Sequence, residues 1–247
     1  MNIYTVVFNN LNLIRFQKKT FDKFLKEDFK FNVIDNTNNQ TNELKKICKE
    51  LNINYIAHKR SNWRNIFNSN STDHCLALNS VCKNLDFTQI NMFIDSDIFL
   101  IKDFTLKSFD YYYFYGFPQN RKNFLFSKNY YWPGLFIINS LDKEMGDKIK
   151  INFLPTKFPI KTDSGGSTYK IFERYKDKSF FFDQNYINNM NFNKRLDNVP
   201  TYLSMQTYYK NSFLHYGAGS NWNNLNSDKF KKKYSFFLKI MNYILNE

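Results

Sequence analysis

Glycine and proline are scarce, at 7 and 5 of 247 residues. No Pro/Ser-rich linker interrupts the chain, and no segment recurs at a period of roughly 20–50 residues, so solenoid and propeller architectures are excluded. Cysteine is rare too. Cys48, Cys75 and Cys82 form an odd set without a Cys-x-x-Cys spacing, against both a disulfide framework and a cysteine zinc site. Cys75 and Cys82 fall in a helical pattern and read as core packing. This usage leads us to expect a reducing, cytoplasmic setting. No apolar run approaches the roughly 18 residues of a membrane span. Met1 to Phe8 lacks the basic start and long apolar middle expected of a secretory signal.

What is present is ample apolar and aromatic material. At 43% hydrophobic and 23% charged residues the chain can bury a sizeable core, which excludes wholesale disorder. Its length suits a single α/β domain. The formal charge of +13 comes from lysines scattered along the chain, in a composition rich in residues with A/T-rich codons. A nucleic-acid binder is expected to cluster its cations in a stripe. The charge therefore reads as a solvated basic surface, with anionic lipid, sugar phosphate or a polyanion as the alternatives.

Strand and helix signals alternate over the first hundred residues. Strands are expected at Asn2–Phe8, Phe29–Ile34, Ile53–Ala57 and Ile90–Ile94. Helices are expected from Leu13 to Leu25, Thr41 to Leu51 and Ser71 to Leu85. Such repeats predict a parallel sheet with helices on both faces. After Leu100 the rhythm changes, with strands expected at 111–117, 130–139 and 213–216 and helices at 141–153, 167–175 and 227–245. We read one domain over 1–247: a nucleotide-binding half (1–100), an acceptor and metal half (101–225) and a C-terminal helix (227–245). The helix segment from Lys229 to Leu245 reads either as docked on the domain or as a basic amphipathic helix lying on an anionic membrane.

The chemistry concentrates at Met92-Phe93-Ile94-Asp95-Ser96-Asp97. The buried-strand pattern of Met92–Ile94 ends in two carboxylates two residues apart, which an extended chain turns to the same side. In open α/β sheets ligands bind beyond the carboxyl ends of strands, and a pair of hard oxygens there suits Mg²⁺ or Mn²⁺ bridging to phosphate. A surface turn or cap is the alternative for any Asp-x-Asp taken alone. His215, before Gly217 and Gly219, adds an imidazole compatible with Mn²⁺ and a backbone able to approach phosphate. Asn9, Asn10 and Phe8 close the first strand and Asp35 the second, where ribose or base contacts arise in nucleotide folds; turn formation serves the asparagines equally well. Lys59, Arg60 and Arg64 read as phosphate-facing or solvated cations. Trp132 and Trp222 can stack on a sugar or base, or pack in the core. His58 and His74 read as structural or surface residues.

Taken together, Ile3-Tyr4-Thr5-Val6-Val7, the helical region near residue 75 and Phe93-Ile94-Asp95-Ser96-Asp97 resemble a GT-A-fold glycosyltransferase. Tyr131-Trp132-Pro133-Gly134-Leu135-Phe136-Ile137-Ile138-Asn139 resembles that family's strand under the acceptor. Thr162-Asp163-Ser164-Gly165-Gly166 resembles its segment near the reacting sugar, and His215-Tyr216-Gly217-Ala218-Gly219-Ser220-Asn221-Trp222 its late metal and phosphate segment. The resemblance covers roughly residues 1–225. It implies a Rossmann-like mixed sheet flanked by helices, and a hexosyltransferase that moves a sugar from a nucleoside-diphosphate sugar to a glycan or lipid-linked acceptor. It further implies Asp95, Asp97 and His215 on a Mn²⁺ or Mg²⁺ ion. Phe8, Asn9, Asn10, Asp35, Asp95, Ser96, Gly165, Gly166, Gly217 and Gly219 would bind the nucleotide sugar, and Trp132, Gly134 and Asn139 the acceptor. Asp163 would be catalytic, with a helix N-cap as its other reading. The natural setting is polysaccharide biosynthesis in the cytoplasm, at the inner membrane face through residues 229–245, with no nucleic-acid partner.

Two rivals make different demands. A sugar-phosphate nucleotidyltransferase usually places a Gly-rich basic loop after its first strand, where this chain has Asn9-Asn10-Leu11-Asn12. A basic, aromatic-rich nucleic-acid-binding module predicts oligonucleotide affinity that falls steeply with salt and ignores metal.

Overall fold

The structure, a computed structural model, describes residues 1–8, 11–37, 42–59, 70–107, 111–157, 160–187, 205–217 and 228–246. In chain order its strands are β1 (Asn2–Val7), β2 (Lys30–Asp35), β3 (Asn54–Ala57), β4 (Asn91–Asp95), β5 (Ile98–Leu100), β6 (Phe114–Lys122), β7 (Ser127–Ile138), β8 (Ser179–Phe181), β9 (Gln184–Tyr186), β10 (Gln206–Tyr208) and β11 (Phe213–His215). Its helices are α1 (Leu11–Phe24), α2 (Asn42–Glu50), α3 (Asn70–Cys82), α4 (Lys143–Lys148), α5 (Tyr169–Tyr175) and α6 (Asp228–Asn246). They assort into two units that interleave along the chain: Met1–Phe8, Asp28–Asp95 and Leu106–Phe182 in one, Asn9–Glu27, Ser96–Thr105 and Asp183–Glu247 in the other.

The first unit is built on a mixed sheet of seven strands, ordered β3-β2-β1-β4-β7-β6-β8. The first four pair in parallel, as their apolar, β-branched runs predict. β7 then runs antiparallel to β4 and to β6. β4 sits at the centre: Asn91 to Ile94 are buried and only its last residue, Asp95, reaches partial exposure. Phe93 stacks on Phe136 of β7 at 6.4 Å and meets Phe153 edge-on at 5.0 Å. Cys75, Ala77 and Leu78 of α3 join the same core, as do Ile171 and Phe172 of α5. Each large side chain buried in this way contributes about 1.5–3 kcal/mol.

The β6–β7 ladder slips at one place. Gly116 pairs with Phe136, but Pro118 pairs with Tyr131, so Trp132, Pro133 and Gly134 bulge out of register. Pro133 has no N–H to give to the ladder, and bulges of this kind re-aim side chains beside functional sites.

The second unit is an antiparallel sheet ordered β5-β11-β10-β9, with α1 and α6. Its core gathers Leu13, Phe99, Leu214, Tyr216, Phe237, Ile240, Met241 and Ile244. Of the two readings of residues 229–245, this supports the docked one. Phe237, Ile240 and Met241 are fully buried, so the apolar side of α6 already covers protein and is not offered to lipid.

The helix expected over 141–153 is also shorter than its pattern. Asp142 caps α4 by accepting the Met145 N–H at 2.8 Å, and Ile149 leaves the helix with ψ 119°. The backbone N–H of Phe153 instead donates to Asn79 Oδ1 at 2.9 Å, and Pro155 disfavours a helical Leu154 before it.

Candidate active site

In the first unit the site grows from the end of β4. Asp95 Oδ1 lies 3.3 Å from His74 Nε2, which α3 carries, and the two side chains are 25% and 15% exposed. The His74 ring is stacked on Phe8 at the end of β1, with centroids 6.2 Å apart and planes within 15°. Asp95 Oδ2 comes within 2.6 Å of where a Cβ on Gly134 would stand, and the Trp132 indole crowds the same point. The absence of a side chain at 134 is therefore what admits both the carboxylate and the indole.

Cys75, next to His74, ties this cluster to the Asp163 segment. Its thiol is hydrogen-bonded to the Ser164 side chain and the Gly165 backbone. Burial pushes it up to about 12, with the negative fields of Asp163 and Asp95 adding to the effect. Asp163 itself is exposed and accepts the Ser164 N–H at 2.8 Å. It caps no helix: the 3₁₀ turn Gly166–Thr168 starts from Gly165, and Thr168 precedes α5, neither with a side-chain cap. Gly165 (φ 89°) and Gly166 are buried, and their N–H groups donate to Phe153 O at 2.7 Å and Asp163 O at 3.1 Å. Side chains there would strike Tyr131 O and Thr162. Both glycines thus hold the turn against β7, rather than offering bare amides to a phosphate.

Two other expected ligand contacts sit elsewhere in this unit. Asp35 is fully buried: Oδ1 accepts the Thr37 N–H (2.9 Å) and hydroxyl (2.7 Å), and Oδ2 accepts the Tyr55 hydroxyl (2.6 Å). With no exposed surface it presents no oxygen to a ribose. Burial, together with the bond to Asp35, holds the Tyr55 phenol protonated well above its ordinary range. Asn139 lies just past Ile138, which pairs with Asn91 at the start of β4. That is about 13 Å along the strand from Asp95. The Asn139 amide donates to Tyr112 O (3.0 Å) and the Tyr115 hydroxyl (2.8 Å), a strand-end clamp remote from the carboxylate.

In the second unit Asp97 is 2% exposed, and its Oδ1 lies 3.5 Å from His215 Nε2. Its carbonyl accepts the Tyr216 N–H at 2.9 Å. On the far side of the ring, His215 Nδ1 is 3.4 Å from both the Tyr208 hydroxyl and Gln206 Oε1, and Tyr208 donates to Gln206 at 2.9 Å. These partners on the adjacent β10 hold the ring so that Nε2 faces Asp97. Burial raises the Tyr216 phenol, as do Tyr234 and Asp97 nearby. Gly217 has φ 68°, and its carbonyl accepts from Lys233 Nζ of α6 at 3.2 Å.

The chemistry of a carboxylate beside an imidazole fits a borderline-hard divalent ion. Two ligands about 2.1 Å from one octahedral ion stand about 3 Å apart, close to the 3.5 Å between Asp97 and His215. Among the described residues no three His, Cys, Asp or Glu side chains gather into a ready metal cluster. Asn9, Asn10, Arg60, Arg64, Gly219 and Trp222 lie outside the described residues; Lys59 is exposed. The residue that sequence reasoning passed over is His74. Its only sequence signal is a histidine beside Cys75 where the apolar run of its helix begins, and its partner is 21 positions away.

No family model matches the chain, and no curated protein matches it. Solved structures do. The galactosyltransferase LgtC, in complex with donor and acceptor sugar analogs, superposes with a TM-score of 0.51 over 98% of this chain and 96% of its own, at 12% identity. The fold is that of a GT-A-type glycosyltransferase. Two further likenesses are to GlyE of Streptococcus pneumoniae TIGR4 (TM-score 0.45, 13% identity, 99% of this chain and 62% of GlyE) and S. aureus TarS (TM-score 0.31, 17% identity, 41% of this chain). The matched segment is 17% of TarS, and the chain spans less than two thirds of GlyE. The seven-stranded mixed sheet with helices against it is the architecture expected from the resemblance to GT-A enzymes.

Proposed function

We propose that this chain is a glycosyltransferase that moves a sugar from a nucleoside-diphosphate sugar to a hydroxyl of a glycan or lipid-linked acceptor, with Mn²⁺ or Mg²⁺ as cofactor. The observation that carries this reading is the setting of Asp95. It ends the central buried strand of a glycosyltransferase fold, with His74 at 3.3 Å and the side-chain-free Gly134 leaving room for its second oxygen. Donor and acceptor sugar analogs are what the solved LgtC complex contains.

Asp95, Asp97 and His215 would hold the ion, which when bound neutralises charge on the departing diphosphate. The hydrogen bonds of Tyr208 and Gln206 keep His215 oriented for that task, and the positive φ of Gly217 opens the backbone after it. His74 orients Asp95. Phe8, Asn9, Asn10 and Ser96 would contact the nucleotide, and Trp132 would offer an indole face to a sugar. The exposed Asp163 carboxylate, tethered through Ser164 and Cys75 to the His74 helix, would face the reacting sugar as base or hydroxyl ligand. Assembly of a surface polysaccharide on the cytoplasmic side is the setting we propose.

The test is UDP binding and UDP-sugar hydrolysis with and without Mn²⁺, in wild type and Asp97→Ala, with GDP and the other nucleotides to follow if UDP fails. Metal-dependent binding lost in the variant supports the site. Absence of binding by every nucleotide in every metal would overturn the reading.

A further inference from the structure

The tip of the β6–β7 hairpin is the most exposed apolar feature among the described residues. Phe124 is 101% exposed, Leu125 75% and Phe126 48%. Three consecutive large apolar side chains held in water mark a contact surface.

The tip is held by its own hydrogen bonds. Arg121 pairs with Lys128 and Lys122 with Ser127 up to the last rung. The Asn123 N–H donates to Phe126 O at 2.9 Å, and Asn123 Oδ1 accepts the N–H groups of Leu125 (3.0 Å) and Phe126 (2.8 Å). Such a turn presents its side chains at little further ordering cost.

Its surroundings are cationic. Arg121 and Lys122 are exposed directly beside the apex, and no acidic residue occurs from Tyr111 to Leu141. Lys128 is turned inward, with its ammonium 3.2 Å from Thr156 Oγ1 and 4.2 Å from the Tyr169 ring centroid.

We infer that this hairpin is a lipid-docking tip, with Phe124, Leu125 and Phe126 entering the headgroup–acyl boundary of an anionic bilayer while Arg121 and Lys122 meet its phosphates. An apex of three projecting side chains demands a pocket from a protein partner but none from a bilayer, whose interface accepts aromatic and aliphatic side chains. Flanking cations complement anionic headgroups. The excess charge of +13 favours the same encounter. The inference does not depend on the chemistry proposed for the site, and it assigns lipid contact to a segment other than α6.

The experiment is co-sedimentation with vesicles of phosphatidylcholine alone or mixed with phosphatidylglycerol. It compares wild type, the triple variant Phe124→Ser/Leu125→Ser/Phe126→Ser, and Arg121→Glu/Lys122→Glu. Wild type should bind the anionic vesicles, the triple variant roughly 100-fold more weakly, and the charge-reversal variant roughly tenfold more weakly. Far-UV circular dichroism and the melting temperature should be unchanged, because the substituted side chains are in water. In a Phe124→Trp variant, the emission of the introduced indole should shift to the blue only with anionic vesicles. Triple-variant binding equal to wild type would overturn the inference, as would Phe124→Trp emission indifferent to vesicles. Wild type that ignores vesicles but self-associates through the tip, with association lost in the triple variant, would assign the tip to a protein and equally overturn it.

Discussion

Adding one methyl group at Gly134 probes the site more sharply than removing a carboxylate. The Cβ of Gly134→Ala would stand 2.6 Å from Asp95 Oδ2, where ordinary contact begins at 3.4 Å, and it would meet the Trp132 indole as well. The carboxylate must therefore retreat by about 0.8 Å and the indole must swing away, in a well-packed region with little slack. Overpacking of this kind costs about 1–3 kcal/mol, and each kcal/mol lowers Tm by about 2–4 °C in a chain of this size. The functional loss should be larger in proportion. Displacing a positioning group by about 1 Å costs on the order of 100-fold, so metal-dependent UDP binding should fall between tenfold and 100-fold while the fold persists. Isothermal titration with Mn²⁺, beside a thermal melt, reads both effects. A second substitution separates them: Trp132→Ala in the Gly134→Ala background removes the indole clash and should recover much of the Tm, yet it leaves the methyl against Asp95 and should not recover binding. Unaltered metal-dependent UDP binding in Gly134→Ala, alongside the lowered Tm, would refute the argument that Asp95 must hold its present position.

Asn139→Ala removes the clamp on Tyr112 and Tyr115, and should cost about 1–2 kcal/mol in chemical denaturation while leaving both donor and acceptor kinetics unchanged. Gly165→Ala imposes a side chain at φ 89° and drives it onto Tyr131 O. We expect destabilisation above about 2 kcal/mol by denaturant midpoint. Burial raises Cys48 to about 11 and Cys75 to about 12 from an ordinary value of 9.0. Since the folded state keeps these thiols protonated, their contribution to stability is complete below pH 9 and is lost as pH rises from 9 towards 12. Urea midpoints at pH 7, 9 and 10.5 should decline, and Cys75→Ala should decline less steeply; at pH 8 Cys75 should resist alkylation until the chain unfolds.

Much of the architecture was legible in the residue pattern because it is local. The β-branched runs of β1, β2 and β4, and the apolar spacing of α1 and α3, predicted those elements within a few residues of where they lie. The halt of an apolar strand at Asp95-Ser96-Asp97 marked the carboxyl edge on which the proposed site is built. By contrast β5, β8, β9 and β10 are three residues each, too short to show a period, and they are defined by the strands that flank them.

Side-chain partnerships over long sequence separations were decided only by the tertiary structure. His74 reaches Asp95 because α3 packs beside β1 and β4, and nothing local to either residue announces the pair. The shift of register between Gly116 and Pro118 put Gly134 and Trp132 at Asp95, whereas antiparallel pairing carried Asn139 to the opposite end of the same strand. Asp35 was expected at a ribose but is enclosed by Thr37 and Tyr55. The apolar face of α6 satisfied two readings in sequence, since amphipathicity specifies that a face will be buried and not against what; contact with Leu13, Phe99 and Leu214 chose between them. Periodicity is a property of neighbours along the chain, but a site is a property of neighbours in space, which only packing assigns.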